Sequence, residues 1–129
     1  MMDVMAELKP IGVLFTAGNY SGGLEKLHEL WARIPEPKTA TLNSYLVVEY
    51  GVAFSLRAEN LDEAQWWAER APQFTKVRQD MGEVEFLIGR VAFERGDYET
   101  AKSNFLLANT KSDGRSFQGK DPKYMKLIQ

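Results

Sequence analysis

The sequence predicts an all-α fold of stacked antiparallel helix hairpins, about three pairs plus a C-terminal helix. Three observations predict it. Apolar residues recur at helical spacing along the 129 residues. The clearest stretch is Gly82–Ala108, GEVEFLIGRVAFERGDYETAKSNFLLA, where Val84, Leu87, Ile88, Val91 and Ala92 fall at i, i+3, i+4, i+7 and i+8. That stripe breaks at Gly96-Asp97 and resumes with Ala101, Phe105 and Ala108, which is a helix, a tight turn and a second helix. Similar breaks recur at Gly18-Asn19-Tyr20, Glu59-Asn60-Leu61 and Gly96-Asp97-Tyr98, 41 and 37 residues apart, a period in the range of helical-repeat arrays. Each is followed three positions later by a small residue, Gly23, Ala64 or Ala101, where two helices can approach closely.

Residues 3–17 read as the first helix through Val4, Met5, Leu8, Ile11, Leu14 and Phe15. Pro10 removes a hydrogen bond and crowds the preceding turn, so the helix either starts there or is kinked there. Residues 21–34 form the return helix with Leu24, Leu27, Leu30, Trp31 and Ile34 on one side, and Pro35-Glu36-Pro37 ends it. Thr39 or Thr41 is the expected cap of the next helix, which runs to about Ala58. It carries Leu42, Tyr45, Leu46, Val48, Val52, Ala53 and Leu56 on more than one stripe, which places it centrally. The run YLVVEYGVAF is β-branched enough for a strand, but its length and the lack of a partner strand favour helix. A short helix follows from Leu61 to about Arg70, then a long one over 74–95 and another over 98–110. Lys111–Pro122 is polar and reads as a loop. Asp121-Pro122 starts a terminal helix, whose Tyr124, Leu127 and Ile128 would cover the end of the last hairpin.

The length fits one domain over residues 1–129. Hydrophobic residues are 44% and charged residues 26%, ordinary for a globular chain. With no cysteine, disulfide frameworks, thiol catalysis and zinc-thiolate sites are excluded. The N-terminus lacks the pattern of a secretion signal, and no apolar run reaches the roughly 20 residues that span a bilayer. The expectation is a cytoplasmic protein with no membrane contact. Net charge of −2 argues against nucleic acid as a direct partner. The charge is uneven: residues 1–69 hold 10 acidic and 5 basic side chains, and residues 70–129 hold 8 and 11. An acidic N-terminal face would steer a basic partner.

Gly89, Gly96, Tyr98, Ala101, Phe105 and Ala108 resemble the tetratricopeptide repeat, a helix-turn-helix of about 34 residues with small and aromatic residues at fixed offsets. Gly51, Phe54, Ala64 and Ala71 resemble a second copy with a turn one residue longer, and Tyr20, Leu27 and Pro35 a first copy with Gly23 where alanine is usual. The resemblance implies a right-handed tetratricopeptide-like superhelix. The whole chain resembles the small tetratricopeptide-like immunity proteins encoded beside bacterial polymorphic toxins, through HELWARIPEPK, the Gly82–Ala108 hairpin and KSDGRSFQGKDPKYMKLI. That resemblance implies a non-enzymatic protein that binds and neutralises a cognate toxin in the cytoplasm of the producing cell. A scaffold or secretion chaperone holding a partner peptide is the alternative.

No catalytic constellation emerges from the residues, and no cofactor is expected. Glu25-x-x-His28 has a metal-ligand spacing, but di-iron bundles need a second such motif and His28 is the sole histidine. Glu59, Asp62 and Glu63, and likewise Glu83 and Glu85, sit near helix starts, where negative charge complements the dipole. The glycines of GNYSGG lack the lysine and hydroxyl residue of a phosphate loop. In stacked hairpins the first helix of each pair lines the concave surface, which brings Tyr45, Glu49, Val52, Phe86, Arg90, Phe93 and Glu94 toward it. Trp66 and Trp67 are adjacent and cannot share a helix face, so one is a candidate exposed anchor. The expected partner-binding residues are Tyr45, Glu49, Trp66, Trp67, Glu83, Phe86, Arg90 and Glu94. The surface lacks the lysine-and-asparagine clamp of tetratricopeptide domains that grip chaperone C-termini.

Overall fold

The computed structural model describes residues 2–77 and 81–129. The fold is all-α: among the described residues every regular element is helical. In chain order they are α1 (Val4–Thr16), α2 (Tyr20–Arg33), α3 (Ser44–Arg57), α4 (Leu61–Ala68), α5 (Glu83–Glu94), α6 (Tyr98–Ser112) and α7 (Pro122–Lys126). Single 3-10 turns occupy Lys38–Ala40, Pro72–Phe74 and Arg115–Phe117. The chain divides into two compact units, Met1–Trp67 and Ala68–Gln129.

One turn design serves three hairpins. Gly18, Glu59 and Gly96 all adopt the left-handed conformation, at φ 78, 56 and 85. The next residue, Asn19, Asn60 or Asp97, caps the following helix. Its side-chain oxygen accepts from the N–H of Gly22, Glu63 or Thr100 at 3.1, 3.1 and 3.2 Å. The backbone bonds match as well. Asn19, Asn60 and Asp97 each donate to the carbonyl five residues back, Leu14, Ser55 and Ala92, all at 2.9 Å. This geometry satisfies carbonyls that a helix end leaves open and reverses the chain within three residues.

In the first unit α1 packs on α2, and α2 on α3. α1 is continuous through Pro10. The hydrogen bond that proline forfeits is the one to the Ala6 carbonyl, and Ala6 is exposed, so water can take its place. The helix therefore does not start at Pro10. Asp3 caps it, accepting from the Ala6 N–H at 3.1 Å. The return helix α2 ends at Arg33, ahead of Pro35, and Lys38 folds back on its end. The Lys38 ammonium donates to the carbonyls of Trp31 and Ile34, each at 2.7 Å, and lies 4.8 Å from the Trp31 ring centre. A cation is favourable there because the open carbonyls carry partial negative charge.

The expected cap at Thr39 or Thr41 is corrected. Residues 38–40 make a 3-10 turn, and α3 starts at Ser44 after Asn43 in the left-handed region at φ 67. The Ser44 hydroxyl donates to the Lys38 carbonyl at 2.7 Å and ties the two turns together. Leu42 is consequently outside the helix and 79% exposed.

Glycines set the helix spacing. A Cβ on Gly23 of α2 would lie 2.0 Å from the Phe54 ring of α3, and one on Gly51 of α3 would lie 2.2 Å from the Trp67 ring of α4. The same device appears in the second unit, where a Cβ on Gly89 of α5 would meet the Phe105 ring of α6 at 2.7 Å. Each glycine gives a large ring a flat wall of helix backbone to lie against. Phe54, Trp67 and Phe105 are fully buried as a result.

In the second unit α5 and α6 form the most extensive helix pair. The long helix expected over 74–95 is corrected. Its first residues form the turn at Pro72–Phe74 and a further turn to Val77, residues 78–80 lie outside the described residues, and α5 begins only at Glu83. Gly82 sets that start. It holds φ 69, and a side chain there would strike the Ala108 carbonyl oxygen at 2.7 Å. The expected polar loop after 111 also carries more structure. α6 continues to Ser112, and the Arg115–Phe117 turn buries Phe117 against Phe86 and Phe105, at centroid distances of 5.1 and 5.5 Å. α7 then closes the end of the hairpin. Tyr124 is buried, with Met125, Leu127 and Ile128 packed against the same core.

Candidate functional site

In the first unit the notable cluster lies where α2 meets α4. His28 on α2 and Glu63 on α4 are hydrogen-bonded, with the imidazole donating through Nε2. The imidazole ring stands edge-on to Trp66, 4.7 Å between centres, and tilted on Trp67 at 4.8 Å. Trp66 and Trp67 are themselves perpendicular at 4.9 Å, and Trp67 continues to Trp31 at 5.9 Å. Trp67 is the inward member of the pair at 0% exposure, whereas Trp66 is half-buried and reaches the surface. The adjacency rule thus resolves as expected: one tryptophan builds the core, and its neighbour is held rigidly at the rim by His28. Glu25, Glu29 and Asp62 are exposed close by in sequence, Glu25 one turn before His28 and Asp62 one turn before Trp66. Among the described residues no three side chains of metal-binding type gather.

Three of the expected partner contacts are core instead. Tyr45 is 2% exposed, Trp67 0% and Phe86 6%. The register of the exposed strip explains this. α3 is covered on several sides, so Tyr45 and Val52 turn inward and the half-open residues of that helix are Leu46, Glu49, Tyr50, Ala53 and Leu56. Phe86 is covered by Phe117 and Tyr124. Glu49, Trp66, Glu83, Arg90 and Glu94 all remain half-buried and reach the surface.

The second unit brings Phe86, Arg90, Phe93 and Glu94 to one face of α5, as expected, and α7 lies on that face. The Tyr124 hydroxyl donates to Glu94 Oε1 at 2.8 Å, and the Lys123 ammonium binds the same oxygen at 2.8 Å. The Tyr124 ring stands perpendicular to Phe86 and Phe93, at 5.8 and 5.2 Å. Burial acts to raise the Glu94 carboxyl. Hydrogen bonds from Lys123 and Tyr124, with the charges of Lys123 and Arg90, outweigh that and hold it below its ordinary value. Burial, then the bond to Glu94, push the Tyr124 phenol upward. The Nε of Arg90 is buried and has no hydrogen-bond acceptor, a state that costs about 1–3 kcal/mol for a polar group. At the far end of α5, Glu85 is buried at 7% exposure and binds Lys111 of α6 at 2.9 Å.

Sequence reasoning missed the His28–Glu63 pair and the Tyr124–Glu94 bond. Both join residues 30 or more apart. The apolar set Tyr124, Leu127 and Ile128 did place the terminal helix over the end of the last hairpin, where these residues pack. Comparison with family models, with curated proteins and with solved structures gave no match.

Proposed function

We propose that this protein is a non-enzymatic immunity protein that binds a cognate bacterial toxin domain in the cytoplasm and covers its active or docking surface. The observation that carries the binding surface is Trp66. It is a large aromatic side chain fixed at the rim by His28 and Glu63, on a unit with nine acidic and five basic side chains among residues 1–67. A pre-ordered tryptophan loses little freedom on binding and suits the centre of an interface. The acids around it, Glu25, Glu29 and Asp62, would draw in a basic toxin surface and raise the association rate more than the affinity. Glu49 and Glu83 are further contact candidates. The toxin class itself rests on the resemblance of the sequence to immunity proteins.

The test is co-expression with the toxin domain encoded by the neighbouring gene. Rescue of growth and co-purification are expected, with both lost on Trp66→Ala. A chain that neither rescues cells nor binds that domain refutes the reading. Binding without rescue would favour a chaperone or scaffold.

A further inference from the structure

We propose that the segment Asp121–Gln129 is an autoinhibitory strap on α5, and that the face it covers takes in its place a segment of another protein in which a lysine stands beside an aromatic residue and aliphatic residues follow. This does not depend on the partner of the first unit. The strap shows what the face recognises. Tyr124 enters between Phe86 and Phe93, its hydroxyl and the Lys123 ammonium share the Glu94 carboxylate, and Leu127 and Ile128 lie along the same core. Aromatic insertion, one charge pair and an aliphatic tail are the usual parts of a peptide-recognition site.

Three features make the strap releasable. α7 spans only five residues, too few to hold a helix without the surface beneath it. It follows an exposed link, Gln118-Gly119-Lys120, in which Gly119 sits at φ 74 with open space around it. The Tyr124 hydroxyl and the Lys123 ammonium converge on one carboxylate oxygen, so a competing contact at Glu94 loosens both. The fit is also incomplete at one atom: Arg90 interacts with Tyr124, yet its buried Nε has no acceptor. An incoming segment that brings a carbonyl or carboxylate to Arg90 makes a bond that the strap does not.

The probe is a fluorescein-labelled synthetic peptide with the sequence of residues 119–129, GKDPKYMKLIQ, titrated into the full-length chain and followed by anisotropy. The wild type should bind it weakly, because its own strap is in place. Tyr124→Ala should bind at least ten-fold more tightly, and adding Glu94→Lys should return binding to the level of a scrambled peptide. Should Tyr124→Ala fail to fold, Lys123→Glu serves as the opened variant, since the Lys123 side chain is 43% exposed and not part of the buried core. An opened variant with native circular dichroism that binds the peptide no better than the wild type overturns the proposal. Wild-type chain that dimerises with rising concentration, while peptide binding stays at the scrambled level, also overturns it and points to strap exchange between copies.

Discussion

Replacing Glu59 with glycine should make the protein more stable. Glu59 holds φ 56, where an L side chain crowds the following carbonyl at a cost of about 1–2 kcal/mol. Its counterparts in the other two turns, Gly18 and Gly96, have no such cost. Glycine also returns about 0.4–1 kcal/mol of freedom to the unfolded chain, which opposes the gain. The net is a stabilisation of about 0.5–1 kcal/mol. Other contributions are small. The Glu59 side chain is exposed, and it lies between the C-terminus of α3 and the N-terminus of α4, whose dipoles act on its charge in opposite directions. The converse substitutions are internal controls. A Cβ on Gly18 or Gly96 meets nothing within 4 Å, so Gly18→Ala and Gly96→Ala cost backbone strain less the same unfolded-chain term, about 0.5–1 kcal/mol each. Urea unfolding followed by circular dichroism reads all three. At an m-value of about 2 kcal/mol/M, Glu59→Gly should move the midpoint up by about 0.25–0.5 M with m unchanged. If Glu59→Gly leaves the midpoint unchanged or lowers it, while the two alanine variants lower it, the strain argument for this turn is wrong.

Other predictions follow from contacts already described. Gly51→Ala pushes a methyl into the Trp67 ring and should destabilise by about 1–3 kcal/mol in the same assay. Trp67→Ala empties a fully buried site and should cost about 3–5 kcal/mol, whereas Trp66→Ala should cost less than half of that while removing partner binding. Equal stability losses for the two would contradict their division into core and rim. Because Glu94 is held below its ordinary value, its ionised form is the one the native state favours. That contribution is full above the unfolded carboxyl value, near pH ~4.3, and is lost as pH falls through the lower folded value. Glu94→Gln should therefore flatten the acid limb of stability against pH, and an unaltered limb would count against the bonds from Lys123 and Tyr124.

What could be read from the sequence follows from how local each signal is. The three turns were legible because their chemistry sits within a few residues: a left-handed position, then an Asn or Asp cap. Gly89, Ala101, Phe105 and Ala108 were legible because their spacing alone places them between two helices. The start of α5 was not. Val77 and Met81 continue an apolar pattern, and only the approach of Gly82 to the Ala108 carbonyl shows why the helix waits until Glu83. The α3 cap failed for a similar reason, since Thr39 and Thr41 are good caps in isolation and the Lys38–Ala40 turn uses those residues otherwise. Among the candidate contacts, Glu49, Trp66, Glu83, Arg90 and Glu94 reach the surface. Tyr45, Trp67 and Phe86 do not, because burial depends on which distant segment lies on top, and periodicity marks a face without naming its cover.

The placement of the tryptophans has a practical consequence. All three, Trp31, Trp66 and Trp67, fall in the unit Met1–Trp67. Intrinsic tryptophan emission therefore arises from that unit, with His28 and Lys38 close enough to its fluorophores to alter their quantum yield. Far-UV ellipticity, by contrast, averages over the helices of both units. Superimposable melting curves from the two signals would show the chain unfolding as one cooperative body, and curves that separate would time the two halves independently. No label, cut or added residue is needed for that measurement.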